Sequence, residues 1–246
     1  MELTGKVALI TGGRRIGAAV AERLAGRGVD VALSYNRSGA EAEKAADRVR
    51  GAGRAASVAQ ADLTRPSEVE RLVEGTAARF GRLDILISMA SIYRHTAFDA
   101  LTEEDWTATL DVDLSAAWRL ARAAVPRLRA AGGGRIVHFS DWIAASGRPR
   151  YTGYLPYYVA KRAVMGLTEA LALELAADGI LVNTIAPGPI VPPSDLEPDE
   201  IEAVERATPV GRWGGPEAIA DTVVGVLQSD FITGETIRVD GGRHLR

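Results

Sequence analysis

The chain has 246 residues, of which 47% are hydrophobic and 25% charged, and its formal net charge is -3. A chain of this length can bury a sizeable core, so one α/β domain spanning residues 1–246 is expected, and the weak net charge argues against nucleic acid as a partner. The absence of cysteine excludes disulfides and thiolate metal sites, and the three histidines are isolated in the sequence, so no metal site is predicted.

Seven short apolar runs alternate with longer amphipathic segments along the chain. The predicted strands are Val7–Ile10, Val29–Tyr35, Ala55–Gln60, Ile85–Ser88, Ile136–Ser140, Leu181–Ile185 and Thr236–Val239. The predicted helices lie near residues 16–27, 39–50, 66–80, 103–130, 156–177 and 215–228. This alternation predicts a doubly wound, mostly parallel sheet with helices on both faces.

No apolar run reaches the ~18 residues that a membrane span requires, and no signal peptide is visible before the first strand. We therefore expect no membrane partner and a cytoplasmic location.

A glycine-rich turn follows the first predicted strand, where residues 11–17 read Thr-Gly-Gly-Arg-Arg-Ile-Gly. Glycine allows the backbone to approach phosphate groups, and the next helix presents unpaired N–H groups and its positive dipole end. A plain tight turn would give the same letters. Because this turn lies at the first βα junction of a doubly wound sheet, it predicts a pyrophosphate site.

Tyr157 and Lys161 form a Tyr-x-x-x-Lys pattern in a predicted helix. Residues four apart lie on one helix face, so both side chains should reach the same cavity. A cation beside a phenol favours the phenolate, so we expect a lowered pKa for Tyr157, as a general acid and base requires. Tyr154 and Tyr158 lack this spacing and are interpreted as pocket wall or packing.

These motifs together resemble the short-chain dehydrogenase/reductase family, and more narrowly its pteridine reductase branch. The basic pair Arg14-Arg15 is similar to that branch's turn, although the family's turn is one residue longer. Asn183 to Gly188 resembles the family's Asn-x-x-x-Pro-Gly after the sixth strand. The resemblance spans essentially the whole chain and implies a Rossmann fold, an oxidoreductase activity and a homotetramer.

The end of the second strand predicts the cofactor. Enzymes that prefer NAD place a carboxylate there for the ribose 2′-hydroxyl, whereas this chain has Asn36, Arg37 and Ser38. With Arg15, these residues offer cations and a hydroxyl to a 2′-phosphate, so NADP(H) is predicted. The same residues would also cap the next helix. The expected cofactor-binding residues are Gly12, Arg14, Arg15, Ile16, Gly17, Asn36, Arg37, Ser38, Asp62, Leu63, Ala90, Lys161, Pro187, Gly188 and Ile190.

The resemblance places Asp141 where most of the family carries a catalytic serine, and it aligns Asp113 with an asparagine that often holds a relay water. An aspartate at the serine position is similar to the pteridine reductase branch, and an ionised carboxylate would oppose a developing alkoxide. The alternative is that Asp141 caps a turn while Ser140 or Ser146 serves as the usual serine. The expected catalytic residues are Tyr157, Lys161, Asp141 and Asp113.

The segment after the fourth strand also resembles the pteridine reductase branch. Ser91 replaces a glycine of the family and Tyr93 follows two residues later. Tyr93 could stack on a flat ring opposite the nicotinamide, or it could pack against the rim of the sheet. The expected substrate-binding residues are Ser91, Tyr93, Asp141 and Tyr157.

A proline-rich segment from Pro187 to Pro198, which includes Ser194-Asp195, predicts a long loop after the sixth strand. Such a loop overhangs the ligand crevice of an open sheet. We expect a substrate loop at about residues 187–206, although a surface excursion would have the same composition.

The leading functional hypothesis is NADPH-dependent reduction of a pterin-like C=N bond with Tyr157 as the proton donor. A carbonyl reductase, for example of 3-oxoacyl thioesters or sugars, is the alternative within enzymes. A protein that binds or senses the cofactor with little catalysis is the alternative outside them.

Overall fold

One parallel sheet organises the chain. A computed structural model of the protein describes residues 1–12, 14–194 and 196–246, so Gly13 of the glycine-rich turn and Asp195 of the proline-rich segment lie outside the described residues. The strands are β1 Val7–Thr11, β2 Asp30–Tyr35, β3 Ala56–Gln60, β4 Ile85–Ser88, β5 Gly134–Phe139, β6 Ile180–Pro187 and β7 Thr236–Val239. They pair in parallel in the order β3-β2-β1-β4-β5-β6-β7.

The central strands are apolar on both faces because helices cover both sides of the sheet. In β1, Leu9 packs into the core on one side of the sheet. Its neighbours Ala8 and Ile10 pack into the core on the other side. Side chains alternate along a strand, so a continuous run of buried residues in β1 supplies both cores.

Helices connect the strands. They are α1 Ile16–Ala25, α2 Gly39–Gly51, α3 Pro66–Phe80, α4 Glu103–Leu110, α5 Ala116–Ala130, α6 Trp142–Ala145, α7 Leu155–Leu175, α8 Pro198–Ala207 and α9 Pro216–Gln228. Proline occupies the first turn of α3, α7, α8 and α9, where its missing N–H costs nothing. The predicted single-domain Rossmann fold with seven parallel strands is confirmed.

Three local predictions need correction. The helix expected at 103–130 is interrupted by a π-helical turn at Asp111–Ser115. The short helix α6 was not predicted. The proline-rich segment gives way to α8 at Pro198, with Glu197 and Glu200 forming a capping box. Each feature depends on local capping or on one extra residue per turn, and hydrophobic periodicity does not report either.

The strand order reverses at β1, which pairs with β2 on one side and with β4 on the other. In a doubly wound sheet the ligand crevice lies at this switch point, beyond the carboxyl ends of the strands. Thr11 at the end of β1 accepts hydrogen bonds from the N–H groups of Met89 (3.1 Å) and Ala90 (3.4 Å) after β4. The two strand ends at the crevice are therefore tied together.

Candidate active site

A cleft of about 700 Å³ opens at the carboxyl ends of β1 to β4 and reaches α7. Its volume is that of a site for a cofactor or a drug-sized ligand. The cleft brings together ten of the predicted site residues. They are Gly12, Arg14, Asn36, Arg37, Ser38, Asp62, Leu63, Ala90, Ser91 and Tyr157.

The glycines of the first turn have steric reasons to be glycine. Gly12 has a φ of +80°, and a Cβ there would lie 3.1 Å from the backbone of Met89 and Ala90. A Cβ on Gly17 would lie 2.5 Å from the carbonyl oxygen of Gly12. Between them, Arg15 adopts a positive φ of 41°, which costs a non-glycine residue on the order of 1–3 kcal/mol. The turn is therefore tight, and it brings bare backbone to the cleft.

The charges at the end of the cleft beside β2 are suited to binding a phosphorylated ribose. Arg14, Arg37 and Ser38 line it, and the residue that ends β2 is a tyrosine rather than a carboxylate. Asp62 is held in place because its carboxylate accepts hydrogen bonds from the N–H (3.0 Å) and Oγ1 (2.7 Å) of Thr64. These hydrogen bonds lower the pKa of Asp62. The residues present therefore fit a dinucleotide that carries a 2′-phosphate.

Tyr157 and Asp141 contact each other at the end of the cleft beside α7. The Tyr157 hydroxyl donates a hydrogen bond of 2.9 Å to Oδ2 of Asp141. Asp141 Oδ1 accepts from the N–H of Ile143 at 2.8 Å, so Asp141 caps α6 at the same time. Burial raises the pKa of Asp141, although these hydrogen bonds and the charge of Lys161 act in the opposite direction. Asp141 therefore binds a proton more readily than an exposed aspartate.

Lys161, which the sequence predicts to be catalytic, is paired with a second carboxylate. Lys161 Nζ lies 2.9 Å from Oδ1 of Asp113 and donates to the carbonyl oxygen of Phe139 at 3.0 Å. Both charged side chains are almost fully buried, with 4% and 0% exposed. Asp113 also accepts hydrogen bonds from the Ser91 hydroxyl and, at 2.8 Å, from the N–H of Ile92. The pair therefore links α7 to the segment after β4.

The expectation of a lowered pKa for Tyr157 is wrong. The pKa of Tyr157 is raised well above its ordinary value, first by burial, then by the charge of Asp141 and the hydrogen bond to it, and then by the charge of Asp113. Asp113 lies against Lys161 and offsets its ammonium charge. The site therefore holds Tyr157 in its protonated form.

Neither alternative serine faces Tyr157 in the described geometry. The Ser140 hydroxyl is buried and donates to the carbonyl oxygen of Lys161 at 2.8 Å, on the side of α7. The Ser146 hydroxyl donates to the carbonyl oxygen of Trp142 at 2.6 Å. The side chain that reaches the Tyr157 hydroxyl is that of Asp141.

The remaining predicted residues lie around the cleft rather than in its lining. Arg15, Ile16 and Gly17 form the back of the glycine turn and the start of α1. After β6, the N–H of Gly188 donates a hydrogen bond of 2.9 Å to the carbonyl oxygen of Val239. Ile190 is buried, and its carbonyl oxygen accepts from Gly215 at 3.0 Å. Other predicted residues outside the lining are Tyr93, Asp113, Asp141, Lys161 and Pro187.

Two features of the site were not predicted. The ion pair of Asp113 with Lys161 joins residues 48 positions apart, and the π-helical turn that contains Asp113 leaves no mark in hydrophobic periodicity. The second feature is the size of the tyrosine group beside Asp141: Tyr154 and Tyr158 were interpreted as pocket wall or packing, whereas Tyr151 was not singled out. Their crowding around Tyr157 in the sequence was the available signal.

Within residues 1–12, 14–194 and 196–246, no group of three or more histidine, aspartate or glutamate side chains could hold a metal ion. No helix in this part of the chain is long and apolar enough to cross a membrane.

Comparison with known proteins places the whole chain in one family. The family profile described as enoyl-(acyl carrier protein) reductase matches residues 12–244. The short-chain reductase protein NovJ of Streptomyces niveus is 37% identical over an alignment of 249 positions, gaps included, that covers 96% of this chain and 93% of that protein. The 3-oxoacyl-[acyl-carrier-protein] reductase FabG of Staphylococcus aureus is 35% identical over the full length of both chains.

Solved structures agree with this placement. A short-chain dehydrogenase from Burkholderia cenocepacia, crystallised in complex with NADP, superposes with a TM-score of 0.91 at 36% identity and covers 99% of both chains. A short-chain dehydrogenase/reductase from Serratia marcescens gives a TM-score of 0.92 at 31% identity, over 99% of this chain and 100% of that one. The chain therefore belongs to the short-chain dehydrogenase/reductase family and is an oxidoreductase of that family.

Proposed function

We propose that this protein is an NADPH-dependent reductase of a small carbonyl compound, with Tyr157 as the proton donor. The observation that carries the assignment of Tyr157 as proton donor is its hydrogen bond of 2.9 Å to Asp141 at the end of the cleft beside α7. The full-length similarity to proteins named 3-oxoacyl-[acyl-carrier-protein] reductase supports a carbonyl substrate over the pterin-like substrate favoured by sequence motifs.

The cofactor assignment rests on the charges of the cleft. NADPH, when bound, supplies the hydride. Arg37 and Ser38 would bind its 2′-phosphate, and the glycine turn with the N-terminus of α1 would bind the pyrophosphate. The complex of the Burkholderia cenocepacia protein with NADP supports the same choice.

The protonation of the site favours reduction. Burial and the neighbouring carboxylates raise the pKa of Tyr157, so the hydroxyl keeps the proton that a newly formed alkoxide needs. Burial also raises the pKa of Asp141. In its protonated form Asp141 can donate a hydrogen bond to the substrate oxygen, as a neutral carboxylic acid does in other oxyanion sites. The objection that an ionised carboxylate would oppose the alkoxide applies only to the ionised form of Asp141 and not to this protonated form.

Asp113 acts through Lys161 in this proposal. Its carboxylate holds the ammonium group 2.9 Å away and binds Ser91 of the segment after β4. Lys161 therefore has a fixed position beneath Tyr157, with Nζ 5.5 Å from the centre of the Tyr157 ring. We regard Asp113 as a positioning residue for Lys161.

A C=N substrate of the pterin type is the second candidate, and the placement of Asp141 against Tyr157 favours it. A carboxyl group beside a ring nitrogen can accept an N–H or, when protonated, donate a proton to it. Tyr93, whose ring centroid lies 4.9 Å from that of Tyr157, is near enough to contact the same substrate.

The remaining assignments are proposals of the same kind. Residues 187–206 would cover the substrate side of the cleft, and the protein would form a homotetramer in the cytoplasm. Light scattering on the purified protein tests the tetramer directly.

Steady-state oxidation of NADPH tests the proposal. We expect turnover of an acetoacetyl thioester or of a simple ketone, slower turnover with NADH, and a loss of about 100-fold or more in kcat for Tyr157→Phe. Turnover of dihydrobiopterin but of no carbonyl compound would contradict the carbonyl proposal and support a C=N substrate of the pterin type. NADPH binding without turnover of any substrate would instead favour a cofactor-binding protein.

A further inference from the structure

A second, small cavity lies beside Tyr157, and tyrosine dominates its lining. The chain contains six tyrosines, and five of them line this cavity together with Asp141. They are Tyr93, Tyr151, Tyr154, Tyr157 and Tyr158. The cavity measures about 20 Å³, which is space for a single water molecule. We call it the tyrosine pocket.

The tyrosine pocket is closed by its own side chains. The rings of Tyr93 and Tyr154 are stacked, with centroids 4.5 Å apart and planes 16° apart. Tyr157 meets Tyr93 edge-on at 4.9 Å and 78°. Because the two rings are stacked, a ligand ring that binds this face of Tyr154 must displace Tyr93.

Tyr93 is the ring that can leave. Its side chain is 60% exposed, and it lies in the segment between β4 and α4, outside any helix or strand. The backbone beside the stacked pair is fixed, because the N–H of Thr96 donates to the carbonyl oxygen of Gly153 at 2.8 Å. The His95 ring packs edge-on against Tyr154 at 5.4 Å. The two loops therefore stay joined while the Tyr93 ring can swing away.

The chemistry of the lining selects the ligand. Aromatic faces favour flat rings, and phenol hydroxyls favour polar substituents on them. The rest of the lining consists of Asp141, Ile143, Ala144, Pro149 and the cationic Arg150. A flexible alkyl chain would gain little of the stacking that the tyrosine rings offer. Asp141 and Tyr157 at the edge of the pocket place its contents next to the proton donor.

We propose that the tyrosine pocket binds a flat aromatic or heteroaromatic part of the substrate, which replaces Tyr93 on the face of Tyr154. The preferred substrate is then a ring compound with its reducible bond in or beside the ring, and a linear acyl chain such as that of an acetoacetyl thioester should bind less tightly. The inference rests on the proposed function for the reaction, whereas the binding it predicts can be measured without turnover.

Two ketones that differ in planarity test this pocket. Calorimetry measures the Kd of 4-hydroxyacetophenone and of its saturated counterpart, 1-(4-hydroxycyclohexyl)ethanone, with the full chain in the presence and absence of NADP+. We expect the flat ketone to bind about 3- to 10-fold more tightly, the range that one aromatic stacking contact gives. Tyr154→Leu should abolish this preference.

Two variants serve as controls. Tyr154→Phe keeps the ring and should keep the preference. Phe98→Leu removes an exposed aromatic ring outside the pocket and should also keep it. Equal binding of the two ketones to the wild type, no binding of either ketone, or a preference that survives in Tyr154→Leu would overturn the inference.

Oxidation of NADPH with the same ketones separates this inference from the proposed function. If the protein bound the flat ketone more tightly but turned over no carbonyl or C=N compound, the proposed reductase function would fail and the inference on the tyrosine pocket would stand. Turnover without that preference would keep the reaction and remove the pocket.

Discussion

Asp113 carries a charge at a position where the resemblance implies a neutral asparagine. Asp113→Asn would leave the Lys161 ammonium group uncompensated beside Tyr157, which lowers the pKa of the phenol. Oxidation of an alcohol by NADP+ requires the phenolate, so its pH profile should move to lower pH in this variant. The asparagine can still accept one of the hydrogen bonds from Ser91 and Ile92, although the unpaired buried ammonium group should cost about 3–5 kcal/mol of stability.

Asp111→Asn is the matched control, because Asp111 lies in the same π-helical turn but pairs with Arg119, at 3.0 Å. The pH profile of alcohol oxidation in Asp111→Asn should coincide with that of the wild type. An unchanged profile in Asp113→Asn would show that Asp113 does not set the charge at Lys161.

His138 makes stability depend on pH. The side chain is fully buried on β5, with Nδ1 2.9 Å from Thr168 Oγ1. Burial, reinforced by the charge of Lys161, lowers its pKa to about 4 from 6.5. The unfolded chain binds a proton below pH 6.5 and the folded chain does not, so stability is lost as the pH falls from 6.5 toward 4. The loss approaches ~3 kcal/mol.

Urea denaturation between pH 4.5 and 7.5 measures this dependence. His138→Gln should flatten it, whereas His95→Gln, at an exposed position, should leave it unchanged. If the free energy of unfolding changed with pH equally in the wild type and in His138→Gln, His138 would not be the source of the pH dependence.

Single residues also show where sequence reasoning stops. Tyr157, Asp141 and the cleft residues could be predicted because each follows a strand or has a fixed helical spacing. The direction of the Tyr157 pKa could not be predicted, since it depends on which carboxylate lies against Lys161. That contact is tertiary, and no local pattern encodes it.

Gly12 and Gly17 of the turn between β1 and α1 have little steric freedom. Gly17→Ala would place a methyl group 2.5 Å from the Gly12 carbonyl oxygen. We expect a loss of about 1–3 kcal/mol in stability together with weaker NADPH binding, measured by denaturation and by titration. Gly75→Ala in α3 is the control, because nothing lies within 4 Å of its Cβ. It should stabilise the protein by about 0.5–1 kcal/mol, and equal effects of the two substitutions would contradict the steric account.

Most elements could be predicted because apolar alternation and glycine or proline positions mark their ends. Gly81 and Gly179, for example, adopt the left-handed conformation at helix ends. The π-helical turn at Asp111–Ser115 and helix α8 were missed for a physical reason. One interrupts a helix without changing its composition, and the other follows directly on the proline-rich segment, whose prolines predict a loop.

The whole molecule should respond to the cofactor as one folding unit. A ligand that binds only the folded state stabilises it by about 2.7 kcal/mol at 100 times its Kd. For a domain of this size that corresponds to a rise of roughly 5–10 °C in Tm. NADPH should give this rise in differential scanning fluorimetry, and NADH at the same concentration should give a smaller one because Arg37 and Ser38 have no phosphate to bind. Equal shifts would contradict the NADPH assignment.

The most direct test of the central claim is the transfer of deuterium from NADPH labelled at C4 of the nicotinamide to the product of a ketone substrate, followed by mass spectrometry. A reductase that uses Tyr157 as its proton donor predicts one deuterium on the carbinol carbon with the wild type and almost no product with Tyr157→Phe. Absence of labelled product with the wild type, or full activity in Tyr157→Phe, would contradict it.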